Sequence, residues 1–119
     1  MARLFHIIAE PDWANAQGAG ELRPESLQAE GFVHLSYAHQ VADTANRFYR
    51  ERENLLVVEF DPRLIGSAVV NEDSHTTGEL FPHVYAAIPV TAAMATHSLT
   101  RSPTGDYVFS EGDLPAEDR

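Results

Sequence analysis

Residues 31–36, Gly-Phe-Val-His-Leu-Ser, restrict the possible folds more than any other stretch. A strand has a side-chain period of two, so Phe32, His34 and Ser36 share one face and Val33 and Leu35 the other. The apolar pair packs inward, and an imidazole and a hydroxyl stand about 6–7 Å apart on the opposite face. Val41, Ala45, Phe48 and Tyr49 then recur at helical spacing, predicting a helix over 37–50 that Ser36 is suited to N-cap. A strand that turns directly into a helix is a place where a rigid scaffold presents side chains to a ligand.

Two other segments share the pattern of a histidine in an apolar strand. Leu4-Phe5-His6-Ile7-Ile8-Ala9 has His6 as its only polar residue, and Phe81-Pro82-His83-Val84-Tyr85 sets His83 and Tyr85 on one face. Pro82 lacks a donor, which places it at a strand start or on an edge. Leu55–Phe60 is a nearly continuous apolar run ended by Asp61-Pro62, as expected of a buried central strand. Between the first two histidine strands, Glu10-Pro11-Asp12-Trp13 opens a short helix closed by Gly18 and Gly20, and Trp13 anchors it on the sheet. Residues 21–30 form a polar connection with one helical turn, ended by Gly31. Asn71–Gly78 is a polar loop suited to a lid, and an alanine-rich turn or short helix runs through Met94. His97–Arg101 and Tyr107–Ser110 form a terminal hairpin. Strands outnumber helices, which points to an α+β fold with a mixed or antiparallel sheet and two to three short helices in one domain, 1–110. Residues 111–119 are acidic and poor in apolar residues, the composition of a flexible tail.

The 119 residues suit a single core, and 44% of them are hydrophobic. Eighteen acidic residues against eight basic ones give a formal charge of −10. That balance opposes non-specific binding to nucleic acid or to an anionic membrane, although a small anionic ligand can still meet a local arginine. Every basic residue is Arg, so lysine Schiff-base chemistry is excluded, and the absence of cysteine removes thiolate ligands and nucleophiles. No apolar run is long enough to cross a bilayer and the N-terminus is not a signal peptide, so a cytoplasmic protein is the expectation.

Three histidines in strand contexts suggest a polar cleft lined from neighbouring strands, because imidazole can donate, accept or transfer a proton near pH 7. His34 and His83 are the catalytic candidates, with Glu79 as the nearest carboxylate. His6, Trp13, Phe32, Ser36, Gln40 and Tyr85 are the ligand-binding candidates. Gln40, in the first helical turn, can fold back towards His34 and Ser36. Other functions fit the same residues. Histidines with Glu79 are zinc or iron ligand types, although no helical i, i+4 pair is present. The pairs His34/Ser36 and His83/Tyr85 loosely fit phosphoester chemistry, and a non-enzymatic interaction module would use its histidines structurally. No Gly-x-Ser-x-Gly elbow or phosphate-binding glycine loop occurs.

The motifs Leu4-Phe5-His6-Ile7 with Trp13, Gly31–Ser36 with Gln40, and Glu79–Tyr85 together resemble domain-of-unknown-function family 952 of small bacterial proteins, over residues 3–95. That family is similar to a compact ADP-ribosyltransferase, a split α+β sheet whose cleft holds NAD. The resemblance implies that His6 contacts the nicotinamide-side ribose, that Phe32–Ser36 packs beside the nicotinamide, and that Glu79 is the counterpart of the glutamate polarising the ribose. It implies no required cofactor, with NAD or an ADP-ribose-type nucleotide as small-molecule partner, and names no protein partner. Cleavage of the nicotinamide–ribose bond develops oxocarbenium character and calls for a carboxylate or dipoles aimed at the sugar. Tyr85, Phe32 and Trp13 are the aromatic groups available for stacking; no arginine is identifiable as the pyrophosphate partner, and Arg3 and Arg47 lie nearest the motifs.

Overall fold

Leu4–Ala9 forms the first strand, β1, paired antiparallel with the apolar run Leu55–Phe60, β4. The computed structural model describes residues 2–119. Among these residues, three α-helices and several small antiparallel sheets make up an α+β fold. β4 is the middle strand of the order β1-β4-β8, with β8 spanning Ala93–Ser98. Its alternate residues serve two cores. Val58 and Phe60 meet Leu4, Ile8 and Trp13 on one side, whereas Leu55 and Val57 meet Phe5, Ile7, Val41 and Ala45 on the other. A strand buried on both faces reads as a continuous apolar run, which is why β4 is legible in the sequence.

Helix α1, Glu10–Ala19, starts directly after β1 with Pro11 in its first turn and Glu10 and Asp12 at its positive end. Gly20 closes it in the left-handed region at φ 86°, its N–H reaching the Ala16 carbonyl. The short strand β2, Glu21–Leu22, leads into α2, Glu25–Glu30, which Gly31 closes in the same way at φ 90°. Trp13 is buried and packs edge-on against Phe60, so it anchors α1 to the sheet.

Val33–His34 forms β3, which pairs with β6, Phe81–Val84; β6 in turn pairs with β5, Val69–Glu72. Val33 and Leu35 are buried, as the alternation predicts. Pro82 stands second in β6, the middle strand of its sheet, rather than at a start or an edge. The Pro82 carbonyl accepts from the Leu35 N–H just past the end of β3. The absent proline donor therefore faces the point where the ladder ends, and no β5 bond is lost.

Ser36 does not cap a helix. Its N–H and C=O both bond Phe5, at 2.8 Å each, which keeps it in extended pairing. The chain turns one residue later through a 3-10 turn, Ala38–Gln40, into α3, Val41–Phe48. The alanine-rich segment does begin as a turn, a 3-10 turn over Val90–Ala92, but it stops short of Met94, which lies in β8. That strand is largely exposed, so its residues carry no apolar alternation to betray it. β7, Ile88–Pro89, pairs with β2, and β9, Thr100–Arg101, pairs with β10, Tyr107–Val108, as a terminal hairpin shorter than expected, because His97 and Ser98 belong to β8 and pair with β4. Arg101 lies 4.0 Å over the Tyr107 ring and donates to the Arg50 and Arg52 carbonyls, tying the hairpin to the end of α3. Residues 111–119 make two 3-10 turns with Leu114 buried, and the Arg3 N–H donates to the Asp118 carbonyl at 3.0 Å.

Candidate functional site

The site is built on the free edge of β1. In an antiparallel pair, successive residues turn their N–H and C=O alternately towards the partner strand and away from it. Phe5 turns both groups away from β4 and gives them to Ser36. Ile7, two residues on, faces the same way, and among the described residues no strand pairs with it there. Its N–H and C=O therefore open into a groove, a donor and an acceptor side by side with no strand to meet them.

Two adjoining hollows share this edge, and Ile7, His6, His34, Ser26 and Tyr49 line both. The smaller encloses about 390 Å³ and adds Glu30, Ser36, Thr44, Phe48, His75 and Phe81. The larger, about 570 Å³, adds Asp12, Asn15, Glu21, Arg23 and Arg52. Both volumes fall in the range of small-molecule sites, and hydroxyls, imidazoles and aromatic rings share the walls.

His6 is fixed in one tautomer. Its Nδ1–H donates to the His34 carbonyl at 2.8 Å, which leaves Nε2 as an acceptor. Burial holds its pKa below the usual imidazole value, so the ring is neutral. His34 is set by a different partner: its Nε2–H donates to Glu30 Oε1 at 3.0 Å across the end of α2, which in the neutral ring leaves Nδ1 as the acceptor. The Ser36 hydroxyl lies 3.5 Å from that of Thr44 in the same hollow. Two imidazole acceptors thus stand beside the open peptide edge of Ile7.

The remaining sequence-derived candidates lie elsewhere. His83 is opposite His34 in the β3–β6 register with ring centres 5.1 Å apart, but only 1% of it is exposed. Phe32 stacks over it at 4.1 Å, its Nδ1–H donates to Glu72 at 2.9 Å, and its Nε2 is buried without a partner. Tyr85 is half exposed on the same outer face and donates to Glu72 at 2.5 Å. These two donors hold the Glu72 carboxyl below the ordinary glutamate range, the Tyr85 hydroxyl contributing most, and the carboxylate in turn raises the Tyr85 pKa. Phe32, His83 and Tyr85 are therefore grouped behind His34 and line neither hollow. Trp13 belongs to the core.

Gln40 and Glu79 form a structural link. Gln40 is buried, accepts the Tyr37 N–H at 3.0 Å, and donates to the Leu80 carbonyl at 2.8 Å and to Glu79 at 3.1 Å. It fastens the start of α3 to the segment entering β6. The variant Gln40→Ala removes a buried side chain that partners the Leu80 carbonyl and the Tyr37 N–H, and is expected to lose about 1–3 kcal/mol of stability in urea denaturation. A loss under about 0.5 kcal/mol would show that this link carries nothing. Of the arginines nearest the motifs, Arg3 pairs with Glu59 and Asp118 and Arg47 lies over Phe48, while Arg23 and Arg52 line the groove.

Among the described residues, no three His, Asp or Glu side chains gather in a metal-binding arrangement. Glu30, Thr44, Phe48, Tyr49, His75, Phe81 and the Ile7 peptide are groove components that sequence reasoning passed over. Only Glu30 left a trace, its i, i+4 spacing to His34.

A family model described as "Protein of unknown function (DUF952)" matches residues 7–96, from the open peptide of Ile7 through the histidine strands into β8. The chain belongs to this family. The DUF952 chain is similar to the crystal structure of protein CC0527 from Caulobacter crescentus, at 25% identity and a TM-score of 0.80, over 90% of this chain and 94% of that one. It is also similar to the solution structure of the same protein, at 23% identity and a TM-score of 0.71, over 99% and 100% of the two chains. No curated protein matches the DUF952 sequence. No helix among the described residues is long and apolar enough to cross a membrane.

Proposed function

We propose that this DUF952 chain binds NAD or an ADP-ribose-type nucleotide in the groove along β1, with the cleft of an ADP-ribosyltransferase-like fold. The observation that carries this reading is the open donor and acceptor of Ile7 beside His6 and His34. A primary carboxamide such as that of nicotinamide has a complementary pair: its N–H donates to the Ile7 carbonyl while its oxygen accepts from the Ile7 N–H. The neutral His6 Nε2 accepts a ribose hydroxyl, and the His34 Nδ1 accepts a second. The adjoining hollow offers Arg52 to phosphate oxygens, together with Arg23, whose Nε pairs with Glu21 at 2.7 Å and whose terminal nitrogens are left over among the described residues. Two connected hollows of this size suit a ligand with two halves.

For cleavage of the nicotinamide–ribose bond, the carboxylate in the groove is Glu30 and not Glu79, which Gln40 holds outside it. Glu30 accepts a hydrogen bond from the His34 Nε2–H, and its carboxylate stabilises positive charge on the sugar as nicotinamide departs with the bonding electron pair, while His34 Nδ1 takes the proton of the attacking hydroxyl that forms the new C–O bond. The test is a titration of labelled protein with NAD, ADP-ribose and nicotinamide at millimolar concentration, with nicotinamide release followed in parallel. Shifts at the Ile7 amide and the His34 imidazole nitrogens are expected, and NAD and nicotinamide should move Ile7 alike. No shift at either residue with any of the three ligands would end this reading.

A further inference from the structure

The loop between β5 and β6 places an imidazole where the smaller hollow opens. His75 lies against Phe48 with ring centres 5.0 Å apart and planes 30° from parallel, and it meets Phe81 edge-on at 6.0 Å. All three rings line the same hollow as Ile7, His34 and Ser36. Offset stacking on one ring with an edge contact to a second is the arrangement a planar heteroaromatic ligand adopts in an aromatic slot.

The loop is strapped by one side chain. Asp73 accepts from the backbone N–H of His75 at 3.3 Å, of Thr77 at 3.1 Å and of Gly78 at 2.6 Å. Those N–H groups, Gly78 and Thr77 foremost, hold its carboxyl below the usual aspartate range. Thr76 and Gly78 both adopt positive φ, at 53° and 86°, which turns the chain sharply on either side of Thr77. Phe48 keeps 49% of its surface exposed although it is stacked, so His75 covers it only in part. The imidazole has no hydrogen bond of its own among the described residues: the bonds at His75 are its N–H on Asp73 and the Thr76 hydroxyl on its carbonyl. Stacking alone holds the ring in place.

We propose that Phe48 and Phe81 form a subsite for a planar heteroaromatic ring, and that His75 occupies it as a built-in plug which a bound ring displaces. The subsite rests on the nucleotide reading above and specifies which wall of the groove receives a ring. Nicotinamide and adenine share the required chemistry, so the two are tried separately.

The experiment measures the affinity of nicotinamide, AMP and ribose 5-phosphate for the full chain and for His75→Ala, His75→Trp and Phe48→Ala. His75 sits on an exposed loop, so its variants leave the core untouched. His75→Ala is expected to tighten the ring-bearing probe that uses the slot by roughly two- to tenfold, and His75→Trp and Phe48→Ala to weaken it by a similar factor. Ribose 5-phosphate should not respond to any of them. The probe that responds identifies the ring. If ring-bearing probes bind while His75→Ala leaves them unchanged or weakens them, the plug is overturned and the Ile7 site stands. If no probe binds any of the four proteins, both are overturned.

Discussion

Replacing Phe60 by alanine is expected to lower the stability of the fold by about 3–5 kcal/mol, the range for truncating a fully buried phenyl ring. Phe60 has no exposed surface and meets Trp13 edge-on at 6.2 Å. It closes β4 just before Asp61, whose carboxyl the Arg63 side chain and N–H hold at a pKa of about 2 while it caps the next turn. The cavity would open under α1, which lines the larger hollow through Asp12, Asn15 and Ala16. A domain of this size is stable by about 5–15 kcal/mol, so the variant approaches the limit of folding. Urea denaturation should show a much lower midpoint at an unchanged slope. A loss under about 1 kcal/mol would mean that α1 is not anchored through this ring.

The second large effect is on binding. His34→Ala removes one acceptor from the groove and leaves Glu30 without its donor. Loss of the hydrogen bond to the ribose acts against nucleotide binding, and so does loss of the partner that holds Glu30 in position. The expected weakening is roughly 10- to 100-fold for NAD. Because about a third of the His34 side chain is exposed, stability should change by no more than about 1 kcal/mol. Glu30→Gln separates the two causes, since the amide oxygen still accepts the Nε2–H while the negative charge is gone. That variant should bind NAD within a few-fold of the unaltered chain, a much smaller loss than that of His34→Ala. Equal affinity of His34→Ala and the unaltered chain would remove His34 from the site.

What the sequence discloses is set by periodicity. β1, β4 and the α1 boundaries were legible because buried strands are apolar runs and because Pro11 and Gly20 have positional meaning. The histidines of β1, β3 and β6 were legible as a group, and their rings do lie on neighbouring strands. Their different surroundings were not legible. His6 is a tautomer-locked wall of the groove, whereas His83 is sealed beneath Phe32, and the distinction arises from strand order and not from local sequence. The Ile7 edge was invisible for a deeper reason: side chains record which face is buried, and nothing in them records which backbone groups lack a partner. Glu30 and His75 lie in a six-residue helix and a polar loop, where composition carries no directional signal.

Amide hydrogen exchange at Ile7 tests the open edge most directly. In the free protein the Ile7 N–H should exchange far faster than those of His6 and Ile8, which face β4 in the same strand. Saturating nicotinamide should slow Ile7 selectively, because the ligand then occupies the place of an absent strand. An Ile7 amide already as protected as its neighbours, or one whose exchange nicotinamide leaves unchanged, would contradict the account.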